Sequence, residues 1–196
     1  PDFALAHCMK GYFAMLAFKQ ASVPVAVQEA RSAQSLAVGA TTRERDHVAA
    51  LTAWAEGDLD RALATWESIL RAHPHDLVAF RLAHFVNFWL GRPYDMVDSV
   101  ERVMPAWSES IPGFSSILAC RSFAHEETGN YFAAEPYGRH AIELDPGDLW
   151  ATHAVAHVLE APYEYDYLAR PAKMVPNLAE AMPEIAPDFR TYTFRL

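Results

Sequence analysis

Long apolar runs are missing from this chain. None reaches the about 18 residues that a membrane span needs, so no insertion into a bilayer is expected. Cysteine is scarce. Cys8 and Cys120 stand far apart in apolar helical text, and no Cys-x-x-Cys spacing occurs. Two buried thiols are therefore expected, not a disulfide or a thiolate metal site. Positive charge is in deficit: 16 Lys and Arg face 25 Asp and Glu, a net charge of −9. That argues against the basic stripe of a nucleic-acid binder and for a solvated acidic surface, as in a soluble cytoplasmic protein. Strand-like alternation is nearly absent before residue 160. No G-x-x-x-x-G-K-[ST] loop, G-x-G-x-x-G turn or G-x-S-x-G elbow is present, and no Ser, His and Asp suggest a triad. A secretory signal is missing too. The chain begins at Pro1 inside an apolar-periodic pattern, so it is expected to be a fragment, and the missing signal excludes little.

What is present is apolar text in helical period. Apolar residues make up 52% of the 196, enough for one domain or one domain plus a tail. Asp2 is a candidate cap for a helix over Phe3 to Phe18. Pro24 suits the first turn of a second helix, which stops at Gly39. Thr41 and Thr42 cap a third, Arg43 to Glu56, ended by Gly57. A fourth runs from Asp58 to Ala72 before Pro74, and Asp76 caps a fifth to Leu90 and Gly91. Pro93 opens a sixth to Met104. A looser stretch, Pro105 to Gly113, leads to Phe114–Thr128, then Tyr131–Leu144 and finally Trp150–Glu160.

The pattern repeats. Gly57-Asp58-Leu59-x-x-Ala62 with Pro74 matches Gly129-Asn130-Tyr131-x-x-Ala134 with Pro146, and Gly91 lies between as a degenerate middle copy. The glycine closes an inter-helix turn, the alanine lets two helices approach, and the proline stops the second helix. This is the pattern of tetratricopeptide hairpins. The expected fold is all-α, a tetratricopeptide-like α-solenoid of antiparallel helix hairpins over residues 1–160, with a short irregular tail over 161–196. Pro136 falls inside a helix, which must start late or bend there.

Three blocks agree in order and spacing with the tetratricopeptide repeat protein 38 family. They are the text from Thr41 to Arg92, the text from Val103 to Tyr131 (VMPAWSESIPGFSSILACRSFAHEETGNY) and DLWATHAVAHVLE. Over residues 1–160 the chain resembles that family, which implies a soluble all-α repeat protein and little about chemistry. The tail departs from it. YEYDYLARP, PNLAEAMPE and TYTFRL resemble an N-terminal piece of family 5 extracellular solute-binding proteins, which cannot form a peptide site alone. A junction of two unrelated fragments is expected. Five prolines from Pro162 to Pro187 argue for a loosely packed tail, with a short helix at Asn177–Ala181. Thr191-Tyr192-Thr193-Phe194 has strand preference without a visible partner.

Candidate chemistry starts with His153, His157 and Glu160, spaced i, i+4, i+7 on one helical face. A metal there needs a further ligand from another helix, such as His84 or His125, since two turns separate the outer members. Hydrogen bonding within a polar helix face is the plainer alternative. The repeat register offers a second pattern. Positions 10, 6 and 3 before each turn glycine are His47, Leu51 and Trp54; Arg81, Phe85 and Phe88; then Ala119, Phe123 and Glu126. With a missing glycine placed at residue 163, the series ends on His153, His157 and Glu160. In tetratricopeptide folds that face lines the concave groove. The expected groove is therefore His47, Trp54, Arg81, His84, Phe85, Phe88, Phe123, Glu126, His153 and His157, with Arg81 as anion partner. Burial of the aromatics as core is the competing expectation. His125-Glu126-Glu127 is expected to be a solvated helix end, and Trp66, Trp89, Trp107 and Trp150 core residues.

The expected function is a non-enzymatic scaffold that binds a peptide or protein segment in this groove, with no cofactor. The alternatives are a metal-binding or hydrolytic enzyme centred on His153, His157 and Glu160, or a fragment with no function of its own. Ligand identity and oligomeric state stay open.

Overall fold

The computed structural model describes residues 2–169 and the pairs 184–185 and 192–193, with side chains through residue 159. Among them are nine α-helices: α1 Ala4–Leu16, α2 Val23–Leu36, α3 Thr42–Ala55, α4 Leu59–Ala72, α5 Leu77–Trp89, α6 Pro93–Val103, α7 Phe114–Glu127, α8 Tyr131–Leu144 and α9 Leu149–Ala169. The chain divides into two compact units, Pro1–Ala156 and His157–Leu196.

In the first unit each helix from α1 to α8 packs on its neighbours in sequence, and α1 also packs on α3 and α4 on α6. The turn chemistry explains the pairing. Gly57, Gly91 and Gly129 all take positive φ, 85°, 66° and 75°. Each closes the same double hydrogen bond, as in Asp58 N to Ala53 O and Gly57 N to Trp54 O. Arg92 and Gly91 bond to Asn87 and Phe88, and Asn130 and Gly129 to His125 and Glu126. This Schellman arrangement needs a left-handed residue, which glycine supplies without steric cost. Asp58 and Asn130 then cap the returning helices through Arg61 N and Ala133 N. Asp76 caps α5 through Ala79 N, and Asp148 caps α9 through Trp150 N and Ala151 N. Thr41 and Glu44 form a reciprocal capping box on α3.

The core runs along the hairpins. Trp66, Tyr12, Phe80 and Phe123 are fully buried with Leu51, Ile69 and Leu70. Each large apolar side chain of this kind stabilises by about 1.5–3 kcal/mol. Small residues set the closest approaches. Gly138 lies where a Cβ would come within 2.5 Å of Val155 Cγ2 and 2.6 Å of Ser122 Oγ. Gly138→Ala is expected to destabilise by about 1–3 kcal/mol through overpacking of α7, α8 and α9. A thermal melt unchanged from the parent would refute that.

Several local expectations change. Asp2 does not cap α1; Phe3 occupies that position without a side-chain bond. Helix α8 starts at Tyr131, so Pro136 is accommodated within it and not by a late start. The last helix does not stop at Glu160 with a turn at 163. It continues through Pro162 to Ala169, because no glycine or further proline interrupts residues 163–169. In the second unit, Tyr192–Thr193 does have a partner: it pairs antiparallel with Glu184–Ile185. The helix expected at Asn177–Ala181 lies outside the described residues. No described helix is long and apolar enough to cross a membrane.

Candidate functional site

The faces predicted as one groove separate in space. His47 is completely buried, and Trp54, His84, Phe123 and Glu126 are buried as well. These five present almost no surface to a ligand. The reason is that α3, α5 and α7 have packing partners on more than one side, so positions spaced for a groove fall inside the core. Glu126 is therefore not part of a solvated helix end either.

His47 belongs to a polar knot joining four helices. Its Nε2 lies 3.0 Å from Asp76 Oδ2 and its Nδ1 3.1 Å from the Tyr12 hydroxyl. Tyr12 donates to His47 O at 2.9 Å and accepts from Trp66 Nε1 at 3.2 Å. Arg43 donates to the same Asp76 oxygen, while Asp76 Oδ1 caps α5. Burial alone pushes the Asp76 carboxyl up, but the bonds from His47, Arg43 and the Ala79 amide outweigh it and hold it well below the usual carboxylate range. Burial pushes Tyr12 well above the ordinary phenol value. An anchored tyrosine without access to solvent joins helices; it does not transfer protons to a substrate.

Arg81, Phe85 and Phe88 remain half-buried, and His153 is exposed. His153 stacks on Trp150, with centroids 5.5 Å apart and rings 12° from parallel. It also lies 5.9 Å from Phe123. His157 is exposed and belongs to the second unit; the side chain of Glu160 lies outside those described. Among the described residues no group of three His, Cys, Asp or Glu stands close enough to hold a metal. Both cysteines are free and buried. Burial pushes Cys8 up to about 12 and raises Cys120 too, so neither offers a thiolate.

The surface feature that stands out was only half legible. A cleft of about 270 Å³ opens between α1 and α5, lined by Met9, Phe13, Leu16, Leu77, Val78 and the stem of Arg81. The Arg81 guanidinium turns toward α7, 3.0 Å from Cys120 Sγ and 3.5 Å from Ser116 Oγ, with no carboxylate in range among the described residues. Beyond the cleft an aromatic row begins at Phe18. Its ring lies 5.7 Å from Phe85 and 5.4 Å from Trp89, and Phe88 continues to Phe123 at 5.2 Å. Phe13, Phe18 and Trp89 are more than half exposed. Trp89 is thus a surface residue and not the core residue expected; it is the last residue of α5. Trp66 and Trp107 are buried, and Trp150 is half-buried.

Phe18 holds an unusual conformation. It is the described non-glycine residue with positive φ, 48°. After α1 it occupies the left-handed place that Gly57, Gly91 and Gly129 take after α3, α5 and α7. An L-residue there costs about 1–2 kcal/mol. Its ring packs on Phe85 and Trp89. The sequence signal was present: Phe18 stands where the other first helices of each pair have glycine.

No family model matches the chain.

Proposed function

We propose that the chain is a tetratricopeptide-like α-solenoid, akin to the tetratricopeptide repeat protein 38 family, that acts as a non-enzymatic scaffold. It binds a peptide or protein segment along its first-of-pair helices, with an apolar anchor in the cleft between α1 and α5. The observation that carries this reading is Phe18, a strained aromatic held on Phe85 and Trp89 at the end of that cleft. Strain retained at an exposed aromatic points to use of the side chain. Three identical glycine turns and the sequential hairpin packing support the repeat architecture. Exposed tryptophan and phenylalanine beside an apolar slot suit the centre of a peptide interface. A cytoplasmic location goes with this reading, as does a tail over 161–196 foreign to the repeats.

A displayed random-peptide library tests it. Selected peptides are expected to share an aromatic or long aliphatic anchor. Their affinity for a Phe13→Ala, Trp89→Ala variant is expected to fall by about tenfold or more, since each truncated contact residue of this type costs over 1 kcal/mol. Both side chains are more than half exposed, and a thermal melt of the variant checks that the fold is retained. Selection without a shared anchor, or affinity unchanged in the variant, overturns the proposal.

A further inference from the structure

A second cleft, of about 160 Å³, lies between α4 and α6 over α5. Its lining includes Leu63, Glu67, Asn87, Asp95, Asp98 and Arg102. Asn87 is 96% buried, being 4% exposed. Its backbone oxygen accepts from Arg92 N at 2.9 Å, but its side-chain amide makes no hydrogen bond among the described residues. Asn87 lines the cleft and its amide atoms stay accessible there, so water meets them in the free protein and a ligand group can take its place. The charges around it are not balanced. Glu67 accepts from Ser99 at 2.6 Å and pairs with Arg102, and Arg92 pairs with Asp60 at 2.7 Å. Both arginines of the cleft are thereby neutralised. Asp95 and Asp98 have neither ion pair nor hydrogen bond among the described residues. Spaced i, i+3 on α6, they share one face.

We infer that this cleft is a binding site for an alkylammonium group, independent of the peptide site proposed above. An ammonium carries three donors and no acceptor. The Asn87 carbonyl oxygen and the Asp95 and Asp98 carboxylates supply acceptors of three separate groups. Leu63 and Ala64 offer apolar surface for the methylene stem, which long cationic side chains bury while the head stays polar. The net charge of −9 favours approach of a cation. The ammonium belongs either to a lysine side chain of a partner or to a free diamine, and the test separates the two.

The full chain is titrated with 1,5-diaminopentane and, separately, with Nα-acetyl-lysine methylamide, followed by NMR of the Asn87 side-chain amide. The ionic strength is held at about 0.15 M, where screening acts beyond about 8 Å and diffuse attraction is weakened. Saturable shifts of the Asn87 resonances with the lysine probe assign the site to a peptide lysine; shifts with the diamine alone assign it to a free amine. In the Asp95→Asn, Asp98→Asn double variant, exposed and isosteric, the Kd rises by about tenfold or more, since each charged hydrogen bond contributes about 1.5–3 kcal/mol. The Nε-acetylated lysine probe does not bind. No saturable shift with either amine, equal binding by the double variant, or equal binding of the acetylated probe overturns the inference.

Discussion

Asp76→Ala is expected to lower the unfolding free energy by about 3–5 kcal/mol, the range for breaking a buried ion pair from one side. One substitution removes the partner of His47 Nε2, the partner of Arg43 and the cap of α5. It leaves a buried imidazole facing an empty place and frees the first-turn amide of Ala79, a loss of about 1 kcal/mol by itself. The residues affected lie on α1, α3, α4 and α5, so the loss spreads across two hairpins. Denaturant unfolding measures it, and a loss below about 1 kcal/mol would show that the knot adds little. The same carboxylate gives a pH signature. Its folded value is held below the unfolded value of about 3.9, so its contribution is complete above that pH and is lost as the pH falls further.

His84→Leu is expected to act in the opposite sense at neutral pH and to remove an acid weakness. His84 is fully buried, with neither ring nitrogen hydrogen-bonded, between Phe80 and Phe123 at 5.8 and 5.9 Å. Burial, with a smaller contribution from the Arg81 charge, lowers it to about 3. The unfolded chain takes up a proton at this residue near pH 6.5, whereas the folded site stays neutral. Stability from this residue is therefore full above about pH 6.5 and lost as the pH falls toward 3, roughly 3 kcal/mol of it by pH 4. Leucine fills the same space with apolar atoms. It is expected to gain about 1 kcal/mol at pH 7.5, by removing unpaired polar atoms, and to flatten the stability profile between pH 6.5 and 4. The Asp76 effect lies below that window, so the two are separable. A variant whose profile follows the parent through that window would show that His84 does not stay neutral in the fold.

Both residues show where sequence reasoning stopped. Asp76 was legible as a helix cap, because a cap needs only the residues that follow it. Its bonds to His47 and Arg43 were not, because 29 and 33 positions separate the partners. The spacing of His84 fits a groove position or a further metal ligand equally; its packing against Phe123 of α7 excludes an open position. Phe18 could have been found by asking which residue fills the turn position that glycine fills elsewhere. Asn87 and its cleft offered no such signal, since an asparagine within a helix is ordinary.

By itself the sequence determined the helices α1 to α8 and the turns at Gly57, Gly91 and Gly129. Capping, apolar period and left-handed glycine are properties of a few adjacent residues, and they act before distant parts meet. Tertiary structure alone decided which helical faces stay open. A helix with neighbours on both sides buries residues that a one-sided pattern assigns to the surface, as His47 and Leu51 are buried while Gly11 brings α1 against α3. Conversely, Trp89, the last residue of α5, is 61% exposed with Phe18, Phe85 and Phe88 against its ring, while Trp66, with the same indole and α1 and α3 packed over it, is core.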